Sequence, residues 1–292
     1  MVGRRPRRKE SSGKGSLAGS HAKCWLWGRH AVQESLAAGR WLPLEVTLRD
    51  DGEEEKFAEI IRLATDHGLP LSRETAERLT QWTGSREHQG VVARMPEFPY
   101  LSPADLLSVM SPTAGRTNPK GQTTKPIASD TGEQQVDRPE RALLYVLLDR
   151  IQDPHNFGAI LRSAEVLGAD AVFVGREAQS PVTPHVARSS AGAVHYIPLV
   201  QVESLTSLLD DWNRQGVQTL GTTGTAQVDI RDCDLTAPTA LVLGNEGVGV
   251  RDELLSRCQV QARIPQQGQI ESLNAAVAAG IVLYEASRQR SR

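Results

Sequence analysis

The run Leu143-Leu144-Tyr145-Val146-Leu147-Leu148, closed by Asp149, constrains the fold more than any other segment of this chain. Six successive apolar or aromatic side chains leave no polar face for solvent. A strand of this kind has to be covered on both sides, as in parallel sheets. Similar strand-like runs recur at residues 171–174, 196–200, 217–221, 240–243 and 260–264. Helical patterns fall between most of them, at 157–167, 205–215 and 252–258. The alternation predicts an α/β domain over residues 141–292, a mostly parallel sheet covered by helices on both faces. Ligands in such sheets sit beyond the carboxyl ends of the strands. A last helix, residues 273–288, mixes Ala and Gly with Val, Ile and Leu nearly all round. It is expected to be buried, against another helix or a second copy of the chain.

The 292 residues leave room for a second unit. Residues 24–98 predict a small α/β domain. Strands are expected at 44–48, 69–71 and 90–93. A helix is expected at 54–67, with Phe57, Ile60, Ile61 and Ala64 on one face, and another at 74–82. Residues 99–140 are expected to be a linker, because 111–140 carries Pro112, Pro119, Pro126 and Pro139 and no aromatic residue. Residues 1–23 hold seven of the 33 Lys and Arg residues but one of the 35 acids. They read as a disordered basic arm, with three roles open: contact with RNA, a solubilising tail, or organellar import.

Composition excludes several classes. No apolar run approaches the roughly 18–20 residues of a membrane span, and the N-terminus lacks the apolar core of a secretory signal. Cys24, Cys233 and Cys258 are an odd number at wide spacing, which argues against a disulfide framework or a CxxC metal site. No His/Cys cluster suggests a metal. A reducing, cytoplasmic setting fits.

Three motifs lie at expected strand ends. In Asp153-Pro154-His155-Asn156-Phe157-Gly158-Ala159-Ile160-Leu161-Arg162, Asn156 is placed to cap a helix starting at Phe157, and Arg162 falls off the apolar stripe. Leu243-Gly244-Asn245-Glu246-Gly247-Val248-Gly249 is a glycine-rich loop whose order is not that of dinucleotide folds, and it lacks a Walker Gly-Lys-Ser/Thr. Ile264-Pro265 leads through a polar loop into Ser272-Leu273-Asn274, where Ser272 is placed to cap the last helix. Taken singly, each motif reads as well as a helix cap, a surface charge or a tight turn.

Together, in this order, the three motifs resemble the signature of the SpoU-type (SPOUT class) RNA ribose 2′-O-methyltransferases. Trp27-Gly28-Arg29-His30-Ala31-Val32 and His88-Gln89-Gly90-Val91-Val92-Ala93 resemble the ends of the L30e-like substrate-binding domain attached to many members. With the ending Leu283-Tyr284-Glu285-Ala286-Ser287-Arg288-Gln289-Arg290, the chain is most similar to the branch that methylates a guanosine ribose in large-subunit ribosomal RNA. Phe157, Gln266, Ala275 and Ala276 depart from the usual residues, and the linker is longer.

The resemblance implies a deep trefoil knot in the C-terminal domain, S-adenosylmethionine as methyl donor, ribosomal RNA as partner, and a homodimer that completes the site. It implies catalytic roles for Asn156, Arg162, Glu246, Ser272 and Asn274, and donor contacts from Gly244, Ile264 and Leu273. A guanidinium is a poor base at an ordinary pKa near 13, so Arg162 is expected to stabilise the ribose alkoxide electrostatically. Three competing functions are a transfer-RNA methyltransferase of the same class, a non-catalytic RNA-binding assembly factor, and an oxidoreductase with a nucleotide cofactor.

Overall fold

The structure is a computed structural model, and it describes residues 24–50, 54–110, 142–245, 247–269 and 272–291. The basic arm, most of the expected linker and Glu246 lie outside the described residues.

The apolar run forms β5 (Leu144–Asp149), buried along its whole length. It pairs in parallel with β6 (Ala171–Gly175) on one side and β10 (Thr239–Gly244) on the other. With β7 (Leu199–Val202), β8 (Gln218–Thr222), β9 (Val228–Asp229) and β11 (Val260–Arg263), the described strands make a parallel seven-stranded sheet, order β7-β6-β5-β10-β8-β11-β9. The two-residue side-chain period divides β5 between two cores. Leu144, Val146 and Leu148 join one apolar cluster, and Tyr145 and Leu147 the other.

The first cluster is covered by α5 (Pro154–Val166), α6 (Pro184–Ser189) and α9 (Ala275–Arg290). The second is covered by α7 (Leu205–Arg214), through Leu205, Leu209 and Trp212, and by α8 (Asp252–Leu255), through Leu254. Trp212 stacks on Tyr145 at 5.3 Å and meets Phe173 edge-on at 4.8 Å. At Gly158 in α5 an added Cβ would lie 1.9 Å from Ser189 Oγ and 2.8 Å from the Ser190 backbone nitrogen. Only glycine lets α5 and α6 approach this closely.

The small domain is a four-stranded sheet, order β1-β4-β2-β3, with β1 (Trp25–Trp27), β2 (Glu45–Arg49), β3 (Leu71–Glu74) and β4 (Val91–Arg94). Its helices are α1 (Arg29–Ala38), α2 (Glu54–Asp66) and α3 (Ala76–Thr83). The expected strand at 69–71 begins two residues later, as β3. That strand pairs with β2 alone, so Ser72, Arg73 and Glu74 on this exposed edge interrupt the apolar signal.

Residues 99–110, expected to open the linker, are instead structured. Leu101 bridges to Val200 beside β7, and α4 (Pro103–Met110) lays Leu106 into the second core. A capping box starts α4: Ser102 Oγ accepts from the Asp105 backbone N–H at 3.2 Å, and Asp105 Oδ2 accepts from the Ser102 N–H at 3.1 Å. The strand expected at 196–200 becomes β7, because residues 193–195 form a 3₁₀ turn ahead of it.

The two domains share one apolar cluster, which runs from Trp41 and Phe98 to Val194 and Ile197. Polar contacts cross the same boundary. Tyr196 Oη donates to Glu34 at 2.6 Å, and Arg40 Nη1 donates to the Ile197 carbonyl at 2.9 Å.

Within one chain the last helix is buried on one face only. Ala275, Ala279, Val282, Leu283 and Ala286 are buried, but within one chain Val277, Ile281 and Tyr284 are 52%, 38% and 60% exposed.

Candidate active site

The carboxyl ends of β5 and β10 meet in register, with Asp149 opposite Gly244. Asp149 is fully buried, and its carboxylate receives two hydrogen bonds from Arg251: the backbone N–H to Oδ2 and Nε to Oδ1, each at 2.9 Å. Arg150 lies 3.4 Å from the same carboxylate. A buried charge requires such partners, and these fasten the far end of the glycine-rich loop to the end of β5. The near end is held by Asn245, whose Nδ2 donates to the Arg150 carbonyl at 2.8 Å while its Oδ1 accepts from the Gly247 N–H at 2.8 Å. Arg150 adopts φ 58°, a conformation uncommon for a residue with a side chain. At Gly244 an added Cβ would fall 2.0 Å from both Gly249 C and Val250 N. The loop therefore folds back on a bare backbone, and glycine is required there.

Asn156 does not cap α5. Pro154 occupies the first turn, and Asp153 is the cap, its Oδ1 accepting from the His155 N–H at 3.0 Å. This frees the Asn156 carboxamide for another contact: Asn274 Nδ2 donates to Asn156 Oδ1 at 2.9 Å. Ser272 does not cap the last helix either. Asn274 does, its Oδ1 accepting from the N–H groups of Ala276 and Val277 at 2.9 and 3.2 Å. These two bonds fix the orientation of the Asn274 amide, so its nitrogen faces Asn156. The first and third motifs are thus joined side chain to side chain across 118 residues.

Ser272 and Leu273 are exposed on the segment entering α9, and Ile264 packs partly buried on the first core just past β11. Arg162 stands on α5 about 9 Å along the axis from Asn156, at 1.5 Å per residue. It is exposed, and among the described residues it makes no hydrogen bond or ion pair. The structure does not join it to the Asn156–Asn274 pair within one chain. Asp149, Asn245 and Arg251 were not singled out from the sequence, although an acid ending a six-residue apolar run is a signal for a buried anchor.

Past the N-terminus of α5 lies His185 of α6. Burial lowers its pKa first, and Arg188 and His155 lower it further. Among the described residues, no helix is long and apolar enough to cross a membrane and no acid, His or Cys group is arranged to hold a metal ion.

Past the strand ends Ile264 and Leu273 offer apolar side chains, and residues 244–249 carry no Lys or Arg that would hold a pyrophosphate.

Comparison with known proteins gives matches to both domains. Residues 143–284 match the SpoU rRNA Methylase family, and residues 25–101 match the RNA 2′-O ribose methyltransferase substrate binding domain. The chain is 31% identical to the 23S rRNA (guanosine-2′-O-)-methyltransferase RlmB of Pseudomonas putida, covering 91% of this chain and 96% of that one. It is 32% identical to the RlmB of Coxiella burnetii, over 91% and 95%. Among solved structures, the AdoMet-bound rRNA methyltransferase of Sinorhizobium meliloti superimposes with TM-score 0.70 at 25% identity, over 93% of this chain and 89% of that one. The AdoMet complex of the SpoU methyltransferase AviRb from Streptomyces viridochromogenes gives 0.69 at 25% identity, over 96% and 95%. With both domains matched, in the order and fold described above, the chain belongs to the SpoU family of RNA 2′-O-ribose methyltransferases.

Proposed function

We propose that this protein transfers a methyl group from S-adenosylmethionine to the ribose 2′-hydroxyl of a guanosine in large-subunit ribosomal RNA. The observation that carries this reading is the Asn156–Asn274 hydrogen bond, which brings the first and third motifs together beside the anchored glycine-rich loop. The RlmB relatives, which span nearly their whole length with this chain, support the substrate. The small domain favours ribosomal over transfer RNA as the target.

The donor supplies an electrophilic methyl on a sulfonium. The chain's own residues have to hold the ribose in line with it and remove one proton. Gly244, Ile264 and Leu273 would contact the donor. Asn156 and Asn274, fixed on two helix starts, would orient the ribose, assisted by Ser272 and Glu246. Arg162 carries a permanent charge that would stabilise the alkoxide.

The proposal includes a homodimer. Val277, Ile281 and Tyr284 of α9, with Val166 of α5 at 70% exposure, leave one apolar face uncovered on the helix pair that also bears Arg162. A second copy covering that face would bring its Arg162 towards a site that one chain leaves incomplete. The deep trefoil knot belongs to the same proposal, supported by the family match of residues 143–284.

Titration calorimetry should show S-adenosylmethionine binding at one site per chain, or one per two chains in a half-occupied dimer. Binding of NAD without binding of the donor would overturn the reading. Light scattering should give twice 31.8 kDa. A monomer with full activity would exclude the shared site.

A further inference from the structure

A cleft of about 220 Å³ opens where the small domain meets α6, away from the loops at the strand ends. It is below the roughly 300–1,000 Å³ of ordinary small-molecule pockets, which suits one phosphodiester unit better than a whole cofactor. Its walls include Trp27, Gly28, His30, Gln89, Arg188 and Gly192.

Several features of these walls suit an anion. The Arg188 guanidinium lies 4.4 Å from the centre of the Trp27 ring and keeps about a third of its side chain exposed. It forms an ion pair at 3.6 Å with Glu87, which also lines the cleft; that carboxylate is 79% exposed, so the pair is a weak one that a phosphate can replace. Trp27 is 3% exposed, yet its indole N–H is buried without a partner among the described residues. A buried donor of this kind calls for an acceptor. The ten-residue helix α1 begins here at Gly28, and Gln89 Oε1 accepts from its first N–H, that of Arg29, at 3.0 Å. Glu34, the other acid close by, is engaged by the Tyr196 hydroxyl.

The backbone is unusual at the same place. Of the four described non-glycine residues with positive φ, two line this cleft: Gln89 at 53° and Ala191 at 49°. Strain of this kind collects where a binding surface needs it. From the cleft, His185 stands edge-on to Trp27 at 5.3 Å, and α6 continues against α5, whose first turn holds His155 and Asn156.

We propose that this interdomain cleft seats a phosphodiester of the RNA flanking the methylated ribose, with Arg188 as the phosphate-binding residue. The proposal rests on the RNA-methyltransferase reading and adds a second point of grip, which sets how the RNA enters the site.

The test uses the full chain, an unmodified large-subunit rRNA transcript and a salt series. Arg188→Ala should weaken binding, and raise KM for the RNA, about tenfold, as expected for one charge-assisted hydrogen bond. The slope of log affinity against log salt should flatten by about one, the share of one phosphate. Donor affinity should stay at the wild-type value. His30→Glu, at a side chain 76% exposed, should weaken RNA binding in the same direction without touching the packing on Trp27. Wild-type affinity and slope in both variants, with an active wild-type enzyme, would overturn the proposal. If Arg188→Ala does not fold, His30→Glu decides alone, and unchanged RNA binding in it overturns the proposal. A wild-type chain that binds neither donor nor RNA would instead count against the function proposed above.

Discussion

Replacing Arg162 by alanine is expected to lower methyl transfer by about two to three orders of magnitude, the size of effect seen when a group stabilising a developing oxyanion is removed. The side chain is exposed and makes no hydrogen bond or ion pair among the described residues, so folding and donor affinity should be nearly unchanged. Arg162→Lys should recover part of the activity, because it keeps the charge but loses the planar fork. Single-turnover rates at saturating donor and RNA, with circular dichroism as the control for folding, measure this. Unchanged turnover in Arg162→Ala would return the residue to the role of a solvated surface charge.

The second large effect is on stability. Asp149→Ala should destabilise the C-terminal domain by about 3–5 kcal/mol, the usual cost of leaving one member of a buried charge pair without the other. Arg251 would lose its acceptors for both a backbone N–H and Nε, and Arg150 its neighbouring charge. Because these contacts hold the loop after β10, donor binding should weaken as well. Asp149→Asn keeps the shape and one acceptor, so its effect should be smaller. Urea unfolding of the full chain followed by far-UV circular dichroism reads the change. A loss under about 1 kcal/mol, a value typical of a surface pair, would show that Asp149 does not anchor the loop.

Much of this fold is legible in the sequence because its signals are local. The apolar run of β5 marks a strand buried on both faces, and the structure divides its residues between two cores. Elements that depend on distant partners are harder to see. Helix α6 has six residues and is held against α5 through Gly158 and Ser189, a contact that no window of sequence displays. Strand β1 has three residues and gains its place from pairing with β4. Helix α4 was readable, since Ser102-Pro103-Ala104-Asp105 is a capping box, but its surroundings read as linker.

The candidate site was legible as motifs, not as geometry. Asn156 and Asn274 stand out by resemblance, yet which residue caps which helix depends on competition. Asp153 and Pro154 take the start of α5, and Asn274 takes the start of α9 from Ser272. The anchor built from Asp149, Asn245 and Arg251 depends on where β5 and β10 end relative to each other, and only the register shows that. The exposed face of α9 has the opposite character. Its all-round apolarity is plain in the sequence, but one chain buries only part of it, and this supports the second copy in the proposed dimer.

The most direct measurement is to incubate the purified protein with S-adenosylmethionine and unmodified large-subunit rRNA and map every methyl group added. The account predicts one donor-dependent 2′-O-methyl ribose, on a guanosine, resistant to alkaline cleavage at its 3′ side and missing when the donor is withheld. Methylation of a base, or no methyl transfer under conditions where both donor and RNA bind, would contradict it.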